Sequence, residues 1–132
     1  MIGVDTNVLA RLFVTDDERQ HLISTQFFLA RSSADPAFVS LVVVAELAWL
    51  LSDAYEFAYG SIIEVFQRML DSPDFVIERS DLLLRTLELG RERRIDIADS
   101  LIAALAREAG SEHTVTFDRE AAKRVPGMEL LK

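Results

Sequence analysis

Four acidic residues occupy positions where the sequence predicts little access to water: Asp5, Glu46, Asp99 and Asp118. Glu46 interrupts the most hydrophobic stretch of the chain, residues 41–51, and Asp99 lies among Ile, Leu and Ala. Asp5 and Asp118 each end a short apolar run. A carboxylate buried among apolar side chains costs several kcal/mol unless it is paired or binds a metal. We therefore interpret these acids as ligands of one shared divalent cation.

Four carboxylates directed at one cavity favour metal-assisted hydrolysis. Two unit charges 4 Å apart repel by about 4 kcal/mol at an effective dielectric near 20, so a cation is needed to offset the repulsion. Mg²⁺ and Mn²⁺ prefer oxygen ligands, and such metals activate water and stabilise charge on a phosphodiester under attack. The chain has no cysteine, no Gly-x-Ser-x-Gly elbow and no glycine-rich phosphate loop. Nucleophilic catalysis by a side chain therefore has little support.

Two of the four acids are also well placed to cap helices. Asp5 precedes a segment with helical spacing, and Thr6 and Asn7 suit a turn as well as a metal site. Asp118 precedes a predicted helix that ends at Arg124. Because aspartate is among the preferred N-cap residues, capping alone would explain both positions.

The other two acids have competing interpretations of their own. If Asp96 is an N-cap, Asp99 falls at N3, where an acid helps to close a capping box. We favour Asp99 as the ligand and Asp96 mainly as the cap, with a secondary place at the edge of the site. For Glu46 the alternative is a salt bridge to an arginine. A helix that is apolar all round is normally buried, so Glu46 is expected not to reach water.

The composition is that of one globular domain spanning residues 1–132. Half of the residues are hydrophobic, there is no cysteine, and no segment is apolar for the ~20 residues that a membrane helix needs. We expect a soluble, cytoplasmic protein. The net charge of −8 argues against nucleic-acid binding, which usually requires a basic surface. That argument is weakened if four of the acids form a cluster that a cation neutralises.

Short apolar strands alternate with segments of helical periodicity along the whole chain. This alternation predicts an α/β fold with a mostly parallel sheet covered on both faces. The pattern includes a nearly all-apolar helix over residues 41–52 and a helix over residues 80–89 that Gly90 ends. In such folds the working site lies at the carboxyl ends of the strands, and both Asp5 and Asp118 directly follow predicted strands.

Taken in order, the motifs resemble the PIN-domain nuclease family, and the chain length resembles its VapC branch of ribonuclease toxins. The matching segments are Gly3–Leu9, Ser40 with Val44–Trp49, Ala98–Ala104 and Thr116–Asp118. The resemblance implies a three-layer α/β/α sandwich and an endoribonuclease dependent on Mg²⁺ or Mn²⁺. It also implies a homodimer that a cognate antitoxin silences by filling the active-site groove.

By the same resemblance, Asp5, Glu46, Asp99 and Asp118 form the acidic site, and Thr6, Asn7 and Thr116 support or border it. One departure is Ser100, where the family often has alanine; both residues are small.

Basic and aromatic residues are the candidates for holding RNA. Arg11, Arg91, Arg93 and Arg94 could contact phosphates, although such runs are more often a solvated face. The aromatic residues between Trp49 and Tyr59 could stack on bases. For Trp49 a place in the core or in a dimer interface is favoured, because it shares the apolar helix with Leu47 and Leu50.

Two other functions remain open from the residues alone. A phosphatase of the haloacid-dehalogenase kind also places an Asp after its first strand, but it requires a second Asp where this chain has Asn7. A catalytically inactive interaction module would use the acids as caps and ion pairs. Binding of Mg²⁺ or Mn²⁺ would distinguish such a module from a nuclease.

Overall fold

The computed structural model describes residues 1–132 and contains five strands, seven α-helices and one π-helical turn. These elements fall into two units, Met1–Asp81 and Leu82–Lys132, with one helix crossing the boundary. The first unit holds β1 (Ile2–Gly3), α1 (Thr6–Phe13), α2 (Glu18–Leu29), β2 (Ala37–Val39), α3 (Leu41–Trp49), the π-helical turn (Leu50–Ala54), α4 (Tyr59–Asp71) and β3 (Phe75–Ile77). The crossing helix is α5 (Ser80–Arg93), and the second unit continues with α6 (Ile97–Glu108), β4 (Thr114–Thr116), α7 (Arg119–Arg124) and β5 (Met128–Leu130).

A three-stranded parallel sheet organises the first unit, with β2 between β1 and β3. Ala37 and Val39 of β2 are fully buried, as expected for the central strand of a covered sheet. Leu9 of α1, Leu47 of α3 and Phe66 of α4 are likewise completely buried and form much of the core of this unit.

Helix α3 buries one face and exposes the other, although nearly every residue in it is apolar. Ser40 caps its start by accepting a hydrogen bond from the Val43 N–H at 3.2 Å. On the opposite face, Val42, Glu46 and Trp49 are exposed. The expectation that Glu46 is kept from water was therefore wrong, because apolar neighbours in sequence lie around the whole helix and only part of its surface meets the core.

The second unit contains the parallel pair β4 and β5, connected through α7. Its core includes Ile95, Ala103, Ala121, Val125 and Met128. The prediction that a helix ends at Gly90 was wrong: Gly90 is buried inside α5, which continues to Arg93. The helix ends where Arg94 adopts a left-handed conformation with φ of 55°.

All strand pairs are parallel and alternate with helices, so the predicted α/β class is confirmed. A turn at Pro126–Gly127 leads into β5, and Gly127 has φ of 89°, which favours glycine. The structure contains no helix that is both long enough and apolar enough to span a bilayer.

A small charge network ties the start of β1 to the loop before β2. Asp35 lies 2.9 Å from the Met1 amino group and 2.9 Å from Nη1 of Arg31. The hydrogen bond from the Met1 amino group, together with the positive charges of that amine and Arg31, lowers the pKa of Asp35. An acid with a lowered folded-state pKa adds stability above its unfolded pKa, and this stability is lost as the pH falls through the folded pKa.

Asp35→Asn is therefore expected to lower the melting temperature slightly at pH 7. The difference from the unmodified protein should shrink as the pH falls below about 4, the ordinary pKa of aspartate, and should vanish once the pH has passed the lowered folded-state pKa of Asp35. Thermal unfolding followed by circular dichroism across pH 3–8 measures this. Asp53→Asn, at an exposed position without an ion pair, is the control. A pH-independent difference for Asp35→Asn would contradict the assignment.

Candidate active site

A pocket in the first unit collects two of the four predicted acids. Its lining consists of Asp5, Thr6, Asn7, Glu46, Trp49 and Leu50, and its volume is about 260 Å³. We call it the Asp5–Glu46 pocket. Asp5 follows β1 and caps α1, accepting a hydrogen bond from the Thr6 N–H at 2.7 Å. Glu46 reaches the same pocket from the exposed face of α3, so residues 41 positions apart in the chain contribute to one cavity.

The Thr6 hydroxyl orients Glu46. Thr6 is only 6% exposed, and its Oγ1 donates a hydrogen bond to Oε1 of Glu46. A buried donor on a fixed helix restricts the rotamers of a long, flexible carboxylate side chain. Thr6 thus positions Glu46, while Asp5 is held by the start of the same helix.

Thr6→Val should lower the activity of the site by about 10- to 100-fold, the range found when partners that orient metal ligands are removed. Valine preserves the shape of threonine but cannot donate to Glu46. Thr6→Ser keeps a donor and is expected to retain most of the activity. Steady-state cleavage of RNA, the substrate that the sequence resemblance implies, together with the melting temperature, separates this effect from loss of folding. Equal activity of the Val and Ser variants would exclude the orienting role.

A second acidic pocket lies within the second unit. Asp96, Asp99, Asp118 and Glu120 line it together with Arg94, Ala121, Arg124 and Val125, around a volume of about 290 Å³. Asp96 caps α6 by accepting from the Asp99 N–H at 2.8 Å, as predicted. Asp118 caps α7 by accepting from the Ala121 N–H at 3.0 Å. Its own N–H donates to Oγ1 of Thr116 at 3.0 Å, which places Thr116 as a support of Asp118.

The electrostatics of this second pocket disfavour negative charge at Asp99. Partial burial raises the pKa of the Asp99 carboxyl, and the nearby carboxylates of Asp96 and Asp118 raise it further. All the acidic side chains offer oxygen donors, which suit a hard divalent cation such as Mg²⁺ or Mn²⁺. The donor set therefore fits such an ion, whose charge would offset the repulsion. Neither unit by itself arranges three or more His, Cys, Asp or Glu side chains as a metal-binding group.

Helix capping explains the positions of three of the acidic residues. Asp5, Asp96 and Asp118 are all N-caps, and Asp5 and Asp118 are exposed. Burial in an apolar setting was thus the wrong reason to select Asp5, Glu46 and Asp118, although each lines an acidic pocket. Capping leaves the second oxygen of a carboxylate available, so the metal-ligand assignment stays a prediction.

Arg11 forms hydrogen bonds with three side chains of the first unit. Its Nη1 contacts Oδ1 of Asp16 at 2.5 Å and the Tyr55 hydroxyl at 3.0 Å, and its Nε donates to Gln20. These bonds, above all the one with Tyr55, raise the pKa of Arg11. Arg11 therefore links α1 to the segment after α3, and a contact with phosphate remains a prediction.

The three arginines near the end of α5 differ in their surroundings. Arg91 and Arg93 are exposed in the last turn of the helix, whereas Arg94 lines the second acidic pocket. Their predicted role in holding phosphates is not decided by these positions. Trp49 is exposed, so a place in the core is wrong, and its alternative place in a dimer interface stays a prediction.

Parallel strands alternate with helices, and Asp5 and Asp118 follow β1 and β4. This is the α/β arrangement that the sequence motifs predicted for a nuclease. The chain belongs to the PIN domain family, whose model matches residues 2–127. The resemblance inferred from the sequence motifs is thereby confirmed. Among curated proteins, the chain is similar to the VapC ribonuclease of Aquifex aeolicus (strain VF5). The two are 25% identical over 120 residues, which cover 91% of this chain and 89% of the relative.

Proposed function

We propose that this protein is a metal-dependent endoribonuclease and the toxin of a toxin–antitoxin pair. The observation that carries the proposal is the PIN domain match across residues 2–127, which includes every acid of both pockets. The similarity to a protein named VapC ribonuclease supports RNA as the substrate and the toxin branch as the setting. The same match supports one nuclease domain over residues 1–132.

Asp5, Glu46, Asp99 and Asp118 are the proposed metal ligands and catalytic carboxylates. Mg²⁺ or Mn²⁺ would supply an activated water and stabilise negative charge on the phosphodiester. Thr6 orients Glu46 through its hydroxyl, and Thr116 restrains the backbone of Asp118. Asn7 borders the first pocket, and Asp96 fixes the start of α6, from which Asp99 projects. Arg11, Arg91, Arg93 and Arg94 are proposed to contact RNA phosphates.

The proposed setting is cytoplasmic, with a homodimer and a cognate antitoxin as partners. Membership of the PIN family leaves the phosphatase interpretation without support. The inactive interaction module differs from the nuclease in one measurable property, because it has no use for a divalent cation. A ligand that binds only the folded protein raises its stability, by about 2.7 kcal/mol at a concentration 100 times its dissociation constant.

The decisive experiment incubates the purified protein with tRNA, rRNA and mRNA, with and without Mg²⁺ or Mn²⁺, and maps the cut ends. Thermal unfolding in the same buffers measures binding of the metal. We expect cleavage that requires the metal and a higher melting temperature in its presence. Absence of both effects would refute the nuclease. Expression of the chain alone should also arrest bacterial growth, and unimpaired growth with abundant folded protein would contradict the toxin role.

A further inference from the structure

The only tryptophan of the chain lies at the Asp5–Glu46 pocket with much of its side chain in solvent. Trp49 is 58% exposed and lies about one helical turn after Glu46 on the outer face of α3. On the same face, one turn before Glu46, Val42 is 73% exposed. A large aromatic ring beside a few convergent polar groups is typical of a ligand-binding surface.

The exposed carboxylate on this face argues against its burial in a protein interface. The Glu46 side chain lies between Val42 and Trp49 along the helix and is itself exposed. Covering the face with the apolar core of a protein interface would remove water from this carboxylate, which is costly, and charged residues are depleted from such cores. A nucleobase instead offers a flat face to the indole and polar edges that remain hydrated beside the carboxylates.

We propose that Trp49 is a stacking platform for a base of the RNA substrate. Within a duplex, both faces of a base are already covered by its neighbours, whereas unpaired bases can be splayed out onto aromatic side chains. The proposal rests on the ribonuclease function proposed above and adds a residue that holds the substrate.

The backbone after Trp49 holds the platform in place. Residues Leu50–Ala54 form the π-helical turn, in which the Tyr55 N–H donates to the Leu50 carbonyl at 3.2 Å. The Tyr55 hydroxyl then bonds to Arg11 and, at 3.2 Å, to Asp16. Because the end of α3 is anchored in this way, a base that stacks on Trp49 meets a surface that is already ordered.

The single tryptophan makes the test direct, since the intrinsic tryptophan fluorescence of the protein comes from Trp49 alone. An eight-nucleotide single-stranded RNA is titrated into the Asp5→Asn variant in Mg²⁺ and into the unmodified protein in EDTA. The same RNA annealed to its complement, and an abasic strand of equal length, are the controls. We expect saturable quenching by the single strand, and much weaker quenching by the duplex and the abasic strand.

Cleavage kinetics of three variants provide the second measurement. Trp49→Ala should raise KM for a single-stranded substrate by about tenfold with a smaller change in kcat, as expected from the loss of one stacked base. Trp49→Phe should stay within about threefold of the unmodified protein, because phenylalanine retains a stacking face. Leu29→Ala, at an exposed apolar position on α2 that lines neither acidic pocket, is the control and should leave KM unchanged.

The failures of this inference and of the proposed function are distinguishable. If the unmodified protein cleaves RNA but Trp49→Ala has the same KM and no RNA quenches the fluorescence, the platform is wrong and the ribonuclease stands. A shift of the Trp49 emission of the unmodified protein with protein concentration alone, together with loss of self-association in Trp49→Ala, would mean that a second copy covers the indole, and would also overturn the platform. If no RNA is cleaved under any metal condition, the proposed function itself fails.

Discussion

Replacing Asp5 with asparagine is expected to lower RNA cleavage by about 1,000-fold or more while the protein stays folded. A catalytic metal stabilises transition-state charge by several kcal/mol, and each 1.4 kcal/mol or so is a factor of ten in rate. Asparagine removes the negative charge that would bind the metal. It is also as good an N-cap as aspartate, so the bond to the Thr6 N–H and the start of α1 should survive.

The matched control for this variant is Asp17→Asn. Asp17 is likewise an N-cap, of α2, although it accepts from the N–H three residues on, that of Gln20 at 2.9 Å, and it lines neither acidic pocket. Its replacement should leave cleavage unchanged. The two variants are compared by initial rates at saturating Mg²⁺ or Mn²⁺ and by melting temperature without metal. Full activity of Asp5→Asn would exclude Asp5 as a ligand.

The second large effect is expected for Asp99→Asn, again a loss of about 1,000-fold or more in cleavage. Here the metal-free protein should be as stable as the unmodified one, or slightly more stable. Asp99 is partly buried near the carboxylates of Asp96 and Asp118, so removing its charge relieves repulsion in the folded state. The increase in melting temperature on adding Mg²⁺ or Mn²⁺ should be reduced as well.

Asp96→Asn removes the same charge from the same pocket and is the control for Asp99→Asn. Asparagine can still cap α6 at the Asp99 N–H, so folding should be preserved. Because we assign Asp96 mainly to capping, its replacement should lower cleavage by no more than about tenfold. Equal losses in both variants would mean that cleavage depends on the total charge of the pocket and not on Asp99 as a ligand.

Local patterns in the sequence were sufficient to predict the class of fold and most of the helices and strands. Apolar runs of strand length and segments of helical spacing predicted the alternation of strands with helices, and the cap at Asp96 followed from its position before an apolar helix. The prediction that a helix ends at Gly90 failed because one glycine within a helix costs only about 1 kcal/mol. Packing on both sides of the glycine offsets this cost. Its burial depends on tertiary contacts, which a local pattern does not contain.

Asp5, Glu46, Asp99 and Asp118 all line pockets, but the burial that led to their selection holds only in part for Asp99. The hydrophobic stretch around Glu46 predicted a buried helix, whereas the helix exposes Val42, Glu46 and Trp49 along one face. Which face of an all-apolar helix meets the core cannot be read from periodicity, because no polar stripe marks the outer side. The hydrogen bond between Thr6 and Glu46 likewise joins residues 40 positions apart and has no local signal.

The π-helical turn at Leu50–Ala54 makes the length of this segment important. A π turn closes its hydrogen bond over one residue more than an α turn does. Deleting a single residue there would allow α3 to continue as an ordinary helix, but each residue of an α-helix advances the chain by about 100°. Tyr55 would then rotate away from Arg11 and Asp16, its present partners. A one-residue deletion in this segment should therefore be more damaging than many substitutions of its side chains.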